Sequence, residues 1–210
     1  MSQIRVHPLG ESSLLVELES GRCRTFEPRL ATLAQHLRER RDVLDAVLAL
    51  GSLTVHFNPD RVDRERLAAK ILQVASSRPE GLPPARLHRI PVDYTGPDLE
   101  AVAERLGLRP GKVVELHTSA TYHCLMVGFV PGWGYLGGLP SQLWLPRLAR
   151  PRTLVPAGSV AIAEDMTGVY PLAHPGGWHL IGTTEVPFFS PSAAEPSLLR
   201  PGDRVRFHAL

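Results

Sequence analysis

Residues 127–183 read VGFVPGWGYLGGLPSQLWLPRLARPRTLVPAGSVAIAEDMTGVYPLAHPGGWHLIGT, and their composition sets the character of the chain. Glycine and proline are dense, all three tryptophans fall within the stretch, and Arg147, Arg150 and Arg152 share six positions. Three segments repeat a loop, strand, loop rhythm: GFVPGWGYLGGLP, VPAGSVAIA and YPLAHPGGWHLIG. Glycine admits positive φ and close backbone approach, while proline fixes φ and removes an amide donor. So much of both rules out long helices and predicts short strands joined by rigid, shaped loops. Loops on a β scaffold are where binding and catalytic groups gather, so the active surface is expected here.

Working outward, residues 121–129 read as a strand entering that stretch. Before it, residues 98–106 place Leu99, Val102, Ala103 and Leu106 on one helical face; Gly107 is a natural stop, and Pro110 can open a short helix through Leu116. Residues 87–92 form an entry strand with a turn at Tyr94-Thr95-Gly96, and 198–207 (LLRPGDRVRF) read as a turn and an alternating strand that finishes a barrel. Residues 76–85, SSRPEGLPPA, have linker composition. In the first 85 residues, strands at 4–6 and 13–18 flank a turn at Leu9-Gly10. A helix over 28–40 carries Leu30, Leu33, Ala34 and Leu37 at i, i+3, i+4, i+7. Residues 43–50 and 53–57 read as a hairpin about Gly51-Ser52. In the next helix Leu67, Ile71, Val74 and Ala75 share a face, with Asn58 or Asp60 as its cap. One more strand would make this a β-α-β-β-α-β sandwich of the ferredoxin-like type. The expected organisation is α+β: this domain over residues 1–80, and a mainly β domain over 86–210.

A chain of 210 residues suits one large or two small domains, and its formal net charge of +2 gives no electrostatic case for nucleic acid or an anionic membrane. The start, MSQIRVHPLGESS, lacks the apolar core of a signal peptide, and no apolar run approaches a membrane span. Cys23 and Cys124 stand far apart with no CxxC, so neither a zinc site nor a disulfide framework is indicated. A cytoplasmic location is the expectation.

Several local signals invite chemistry. Gly132, Gly134 and Gly137 match G-x-G-x-x-G, but Gly138-Leu139-Pro140 follows where a dinucleotide fingerprint needs a helix. Ser159 is not in a G-x-S-x-G elbow; it is a structural hydroxyl or, with its amide, a donor to a polarised oxygen. His117, His123, His174 and His179 fit no metal spacing, so a single proton-transferring histidine is the better reading, with His117 the first choice. Arg147, Arg150 and Arg152, punctuated by Pro146 and Pro151, are either a solvated loop or a rigid clamp for a carboxylate or phosphate. Trp133, Tyr135, Tyr170 and Trp178 suit core or pocket wall.

GFVPGWGYLGGL (128–139), PRLARPRTLVPAGSVAIA (146–163) and TGVYPLAHPGGWHLIG (167–182) resemble, in order and approximate spacing, the runs GFxPGFxYLGGL, PRxxxPRxxVPAGSVxIA and TGxYPxxxPGGWxxIG. Those runs mark the family called allophanate hydrolase subunit 1, or KipI/PxpB. IPVDYTGPDLEAVAERLGL (90–108) and ELHTSATYHCLMVGF (115–129) extend the likeness upstream, and LGESSLLVEL (9–18) and SLTVHFNP (52–59) more loosely. The resemblance implies a small α+β domain followed by a cyclophilin-like β-barrel. It implies a carboxyltransferase-like second subunit of the KipA/PxpC type and a third, metal-dependent lactam-opening subunit. The activity implied is ATP-dependent cleavage of 5-oxoproline to glutamate, with ATP and its magnesium as co-substrate of the complex and no resident cofactor or metal. Relatives also inhibit a sensor histidine kinase or form part of urea carboxylase, and these are the alternative functions.

Opening a lactam by way of phosphorylated amide oxygen needs an anion clamp and hydrogen-bond donors at that oxygen. On this reading His117, Ser159 and Arg152 are the catalytic candidates. Arg147, Tyr122, Tyr135, Tyr170, Gly176, Gly177 and Trp178 are the substrate-binding ones. The chain departs from the family pattern at Trp133 (commonly Phe), Asp93 (commonly Cys), Asp165-Met166 (commonly Gly-Gln) and Thr183 (commonly Arg). The last two changes remove two groups able to bind substrate.

Overall fold

The computed structural model describes residues 4–18, 26–76 and 84–210. They fall into two compact units, Met1–Pro84 and Ala85–Leu210. Most of the linker-like run at 76–85 lies outside the described residues, as does Cys23.

In the first unit, β1 (Ile4–Pro8) and β2 (Ser13–Leu18) form a hairpin, followed by α1 (Pro28–Arg38), β3 (Val43–Ala49), β4 (Ser52–Phe57) and α2 (Arg64–Ser76). All pairings are antiparallel, in the order β1-β2-β4-β3. The expected β-α-β-β-α-β order is therefore not the one adopted: the edge position beside β2 is filled by β1, which precedes it in the chain. Gly10, at φ 70, makes the reversal that brings β1 there. Alternation on β2 and β4 buries Leu14, Val16, Leu53, Val55 and Phe57. They meet the helical stripe of Leu30, Leu33 and Leu37 and that of Leu67, Ile71 and Ala75 in one core. The cap of α2 is Asp63, whose Oδ1 accepts from the Arg66 amide at 2.7 Å. Asn58 instead closes its own turn, accepting from the Asp60 amide at 2.9 Å.

The second unit opens with β5 (Leu87–Val92), α3 (Leu99–Leu106) and α4 (Pro110–Ser119). Gly107 ends α3 at φ 66, returning its amide to the Ala103 and Glu104 carbonyls. Then follow β6 (Tyr122–Val127), β7 (Gly134–Gly137), β8 (Arg152–Val155), β9 (Ser159–Ala163), β10 (Met166–Val169), β11 (His174–Gly176), β12 (His179–Thr183) and β13 (Arg204–Ala209). Seven of these form one sheet, β12-β9-β10-β7-β6-β13-β5, and β8 pairs with β11 separately. Asp93 and Thr183 exchange two amide hydrogen bonds, 2.9 and 2.8 Å, and so join the two ends of the sheet. The result is a nearly closed barrel, in keeping with the cyclophilin-like fold that the resemblance implies. The seam needs bare backbone: a Cβ on Gly182 would stand 2.6 Å from the Asp93 carbonyl oxygen. Val92, Leu136, Val160, Ile162, Ile181, Val205 and Phe207 fill the interior. Among the described residues no helix is long and apolar enough to cross a membrane.

Candidate functional site

The sequence candidates separate into two groups. His117 and Tyr122 lie inside the barrel. His117 is 0% exposed and stacks on Phe207 at 4.7 Å. Its hydrogen bonds form a directed chain. The Thr167 hydroxyl donates to the Ala161 carbonyl at 2.9 Å, so it accepts from His117 Nε2–H, also at 2.9 Å. That leaves Nδ1 to accept from the Tyr94 hydroxyl at 2.7 Å. Tyr122 donates to the His117 carbonyl at 2.7 Å. Burial pushes the His117 pKa down to about 3, so the imidazole is neutral with both nitrogens occupied. With its proton committed to Thr167 and its lone pair to Tyr94, this ring has no free nitrogen for proton transfer. His117 and Tyr122 are core residues, against the proton-transfer and pocket roles expected of them.

The second group converges around Trp133. Trp133 follows the turn after β6, Tyr135 lies on β7, Tyr170 just follows β10, His174 begins β11 and Trp178 precedes β12. Trp133 is the hub, edge-on to Tyr170 at 4.7 Å, Trp178 at 5.1 Å and Tyr135 at 5.8 Å between ring centroids. Phe129 and His174 each lie 6.3 Å from it. Edge-to-face packing of this kind fixes ring orientation. Gly176 makes room for it, since a Cβ there would run into the Tyr170 hydroxyl. Gly177 accepts from the Leu148 amide at 2.8 Å and ties in the arginine loop. Ser159 is buried at the start of β9, its carbonyl accepting from the Tyr170 amide at 2.9 Å. It pairs with Thr183, one of the positions that depart from the family pattern; another, Asp93, faces Thr183 across the seam.

Two of the three arginines named from sequence, Arg147 and Arg152, face these rings. Burial raises the Tyr170 phenol, and Arg152 and Arg147 both oppose the rise. The Tyr135 phenol is likewise raised by burial, with Arg147 opposing it and Glu164 adding to it. Their engagements differ. Arg152 is bonded to Asp98 Oδ1 at 2.5 Å through Nη2, with a long 3.4 Å contact from Nη1 to the Trp178 carbonyl. Asp98 Oδ2 accepts from the Leu180 amide at 2.7 Å, so the pair fastens β8 to β12 and the start of α3. Arg147 gives Nε to Glu164 at 3.0 Å and keeps 54% of its side chain exposed. Arg150 lies exposed beside the cluster in sequence. The other histidines disperse: His123 is exposed on β6, and His179 is buried, donating to the Pro146 carbonyl at 2.9 Å. Among the described residues no three of His, Cys, Asp and Glu converge as metal ligands.

Sequence reasoning passes over Asp98, Tyr94, Thr167 and Glu164. Glu164 is the one that carries a signal: it follows VAIA, turns at φ 57 and returns its amide to the Leu145 carbonyl at 2.7 Å. Asp98 reads only as the residue before a helix.

Comparison with known proteins adds four findings. The family model for the carboxyltransferase domain, subdomain C and D, matches residues 4–199. A 5-oxoprolinase subunit from Escherichia coli O157:H7 is 45% identical over 99% of this chain and 96% of its own length. Among solved structures, TTHA0988 superposes with a TM-score of 0.82 at 40% identity, over 98% of this chain and 40% of that one. The urea carboxylase of Kluyveromyces lactis does so with a TM-score of 0.73 at 17% identity, over 99% of this chain and 22% of that one, a likeness of fold alone.

Proposed function

The chain belongs to the family of the carboxyltransferase domain, subdomain C and D, and on that premise we propose that it is a subunit of an ATP-dependent 5-oxoprolinase. It works beside a carboxyltransferase-like second subunit and a third, lactam-opening subunit to convert 5-oxoproline to glutamate. The observation that carries this reading is the 45% identity, nearly end to end, with the Escherichia coli 5-oxoprolinase subunit. The urea carboxylase likeness is too distant in sequence to carry an activity.

The geometry supports a definite division of labour. Arg147 is the anion clamp: Glu164 steadies its Nε, while the terminal nitrogens remain to form two parallel bonds with the substrate carboxylate. Tyr135, Tyr170 and Trp178 are the wall against which the flat ring lies. Ser159, whose carbonyl accepts from the Tyr170 amide, and the Gly176-Gly177 backbone are the proposed donors to the polarised lactam oxygen. Arg152 is a positioning residue, acting through Asp98 and the Trp178 carbonyl. ATP with its magnesium is the co-substrate. Transfer of its terminal phosphoryl group to the lactam oxygen turns a poor leaving group into a good one. Water then adds at the ring carbon and the ring C–N bond breaks, the nitrogen taking a proton and leaving as the amine, which gives an acyl phosphate; a second water displaces phosphate from it and leaves the carboxylate of glutamate. This chain's part is to hold and orient the acid and to keep water away from the rings.

The test is reconstitution. The three purified subunits together should release ADP and glutamate in a 5-oxoproline-dependent manner, and this chain alone should release neither. A complete assembly with no 5-oxoproline-dependent ATP hydrolysis overturns the proposal.

A further inference from the structure

Inside the aromatic cluster two polar atoms are buried without a hydrogen-bond partner among the described residues: Trp133 Nε1 and His174 Nε2. Trp133 is only 2% exposed. Its indole nitrogen is solely a donor. His174 Nδ1 lies 2.7 Å from the Pro175 carbonyl, which can only accept, so Nδ1 carries a proton, and in that tautomer Nε2 is an acceptor. A donor and an acceptor, both unmatched, thus belong to rings whose centroids are 6.3 Å apart. Leaving such groups buried and unpaired incurs their full desolvation penalty. A chain that retains two in one place calls for an occupant.

Two features narrow what the occupant is. A single oxygen that both accepts and donates, that of a hydroxyl, matches the pair. Further, the pair belongs to the ring cluster proposed as the wall for the lactam, Trp133 packing edge-on against Tyr170, Trp178 and Tyr135. It therefore offers the substrate a donor and an acceptor beyond those that the lactam amide uses. Phe129 completes the wall, edge-on to both rings, 5.1 Å from His174 and 6.3 Å from Trp133. It is 68% exposed and held at φ 77, a backbone conformation costly for a bulky residue. It is the face of the cluster turned to solvent.

We infer that Trp133 and His174 form a specificity subsite for a ring hydroxyl on the substrate, with Phe129 as the movable wall through which that hydroxyl enters. The inference rests on the lactam-opening reading and sharpens it: this subunit selects a hydroxylated 5-oxoproline over the unsubstituted one.

The experiment compares kcat/KM of the three-subunit assembly for 5-oxoproline and for its ring-hydroxylated analogues, in wild type, Trp133→Phe and His174→Leu. A site built to bond a hydroxyl rejects the analogue lacking it strongly, so a preference of about ten-fold or more is expected in wild type. It should collapse in Trp133→Phe, which keeps an aromatic ring and removes the N–H. Equal use of both substrates by wild type, or a preference that survives Trp133→Phe, overturns the inference while leaving the functional reading intact. So does a crystal structure, at saturating hydroxylated analogue, in which a water alone still bridges the two nitrogens. If the assembly turns over neither compound, the functional reading falls. The inference is then decided by the Trp133 indole N–H resonance, which must shift on adding the hydroxylated analogue and not on adding 5-oxoproline.

Discussion

His117 and Trp133 occupy one barrel unit and are equally buried in aromatic surroundings, yet their polar atoms are treated in opposite ways. Around His117 the chain of bonds closes: Tyr94 to Nδ1, Nε2–H to Thr167, Thr167 to the Ala161 carbonyl. Around Trp133 it stays open at two nitrogens. A closed buried network fixes one arrangement of the core and has nothing left to offer a ligand. An open one costs stability until something completes it. Catalytic promise in a histidine therefore depends on what its nitrogens already hold, and in that respect His117, the more attractive from sequence, is the poorer candidate.

The largest expected effect tests the closed side. His117→Leu should cost about 2–4 kcal/mol in urea unfolding, because it strips two partners inside the core. Turnover per folded molecule in the assembly should change less than about three-fold, the size of a small packing adjustment. A stable variant with abolished turnover would break the contrast. A pH series sharpens it. Folding holds His117 neutral down to about 3, against about 6.5 in the unfolded chain. Below the higher value the unfolded state binds the extra proton. The contribution is then complete above about 6.5 and declines by up to about 1.4 kcal/mol per pH unit as pH falls toward 3. Between pH 6.5 and 5, wild type should lose about 2 kcal/mol more than His117→Asn, which carries no such proton.

On the open side, Arg147→Ala should lower kcat/KM for 5-oxoproline by about 100-fold, the loss expected of a bidentate contact to a charged group. Its stability should stay within about 0.5 kcal/mol, since the ion pair with Glu164 is half exposed. Arg152 falls between the two regions. Its pairing with Asp98 predicts that Arg152→Ala loses stability and turnover together, and that a double-mutant cycle with Asp98→Ala returns a coupling of about 1–3 kcal/mol. Additive single effects would return Arg152 to the substrate.

Much of this is legible in residues 127–183, and the physical reason is local. Glycine at strand ends and proline in loops act through their own φ angles, so short strands and stiff connections follow from nearby sequence. What sequence hides is set across long separations. Asp98 meets Arg152 54 residues away, and His117 meets Thr167 50 residues away. No periodicity announces either contact. The edge strand of the first unit escapes a sequence reading for a related reason. Alternation identifies a strand but not its neighbour, and β1 reaches the edge through the turn at Gly10 rather than after α2.

The smallest effect probes the boundary of the open cluster. Phe129 holds φ 77 while leaving 68% of its surface in solvent, so the fold gains little burial from the ring and bears the cost of the left-handed backbone. Glycine relieves that cost, offset in part by its larger freedom in the unfolded chain. Phe129→Gly should therefore raise unfolding stability by up to about 1 kcal/mol, while weakening discrimination for the hydroxylated substrate because the wall over Trp133 and His174 is gone. A more stable variant with unchanged selectivity would show that the strained turn serves the barrel alone. A less stable one would mean that the ring is packing and not covering, and the open cluster would then resemble the closed one more than its unpaired nitrogens indicate.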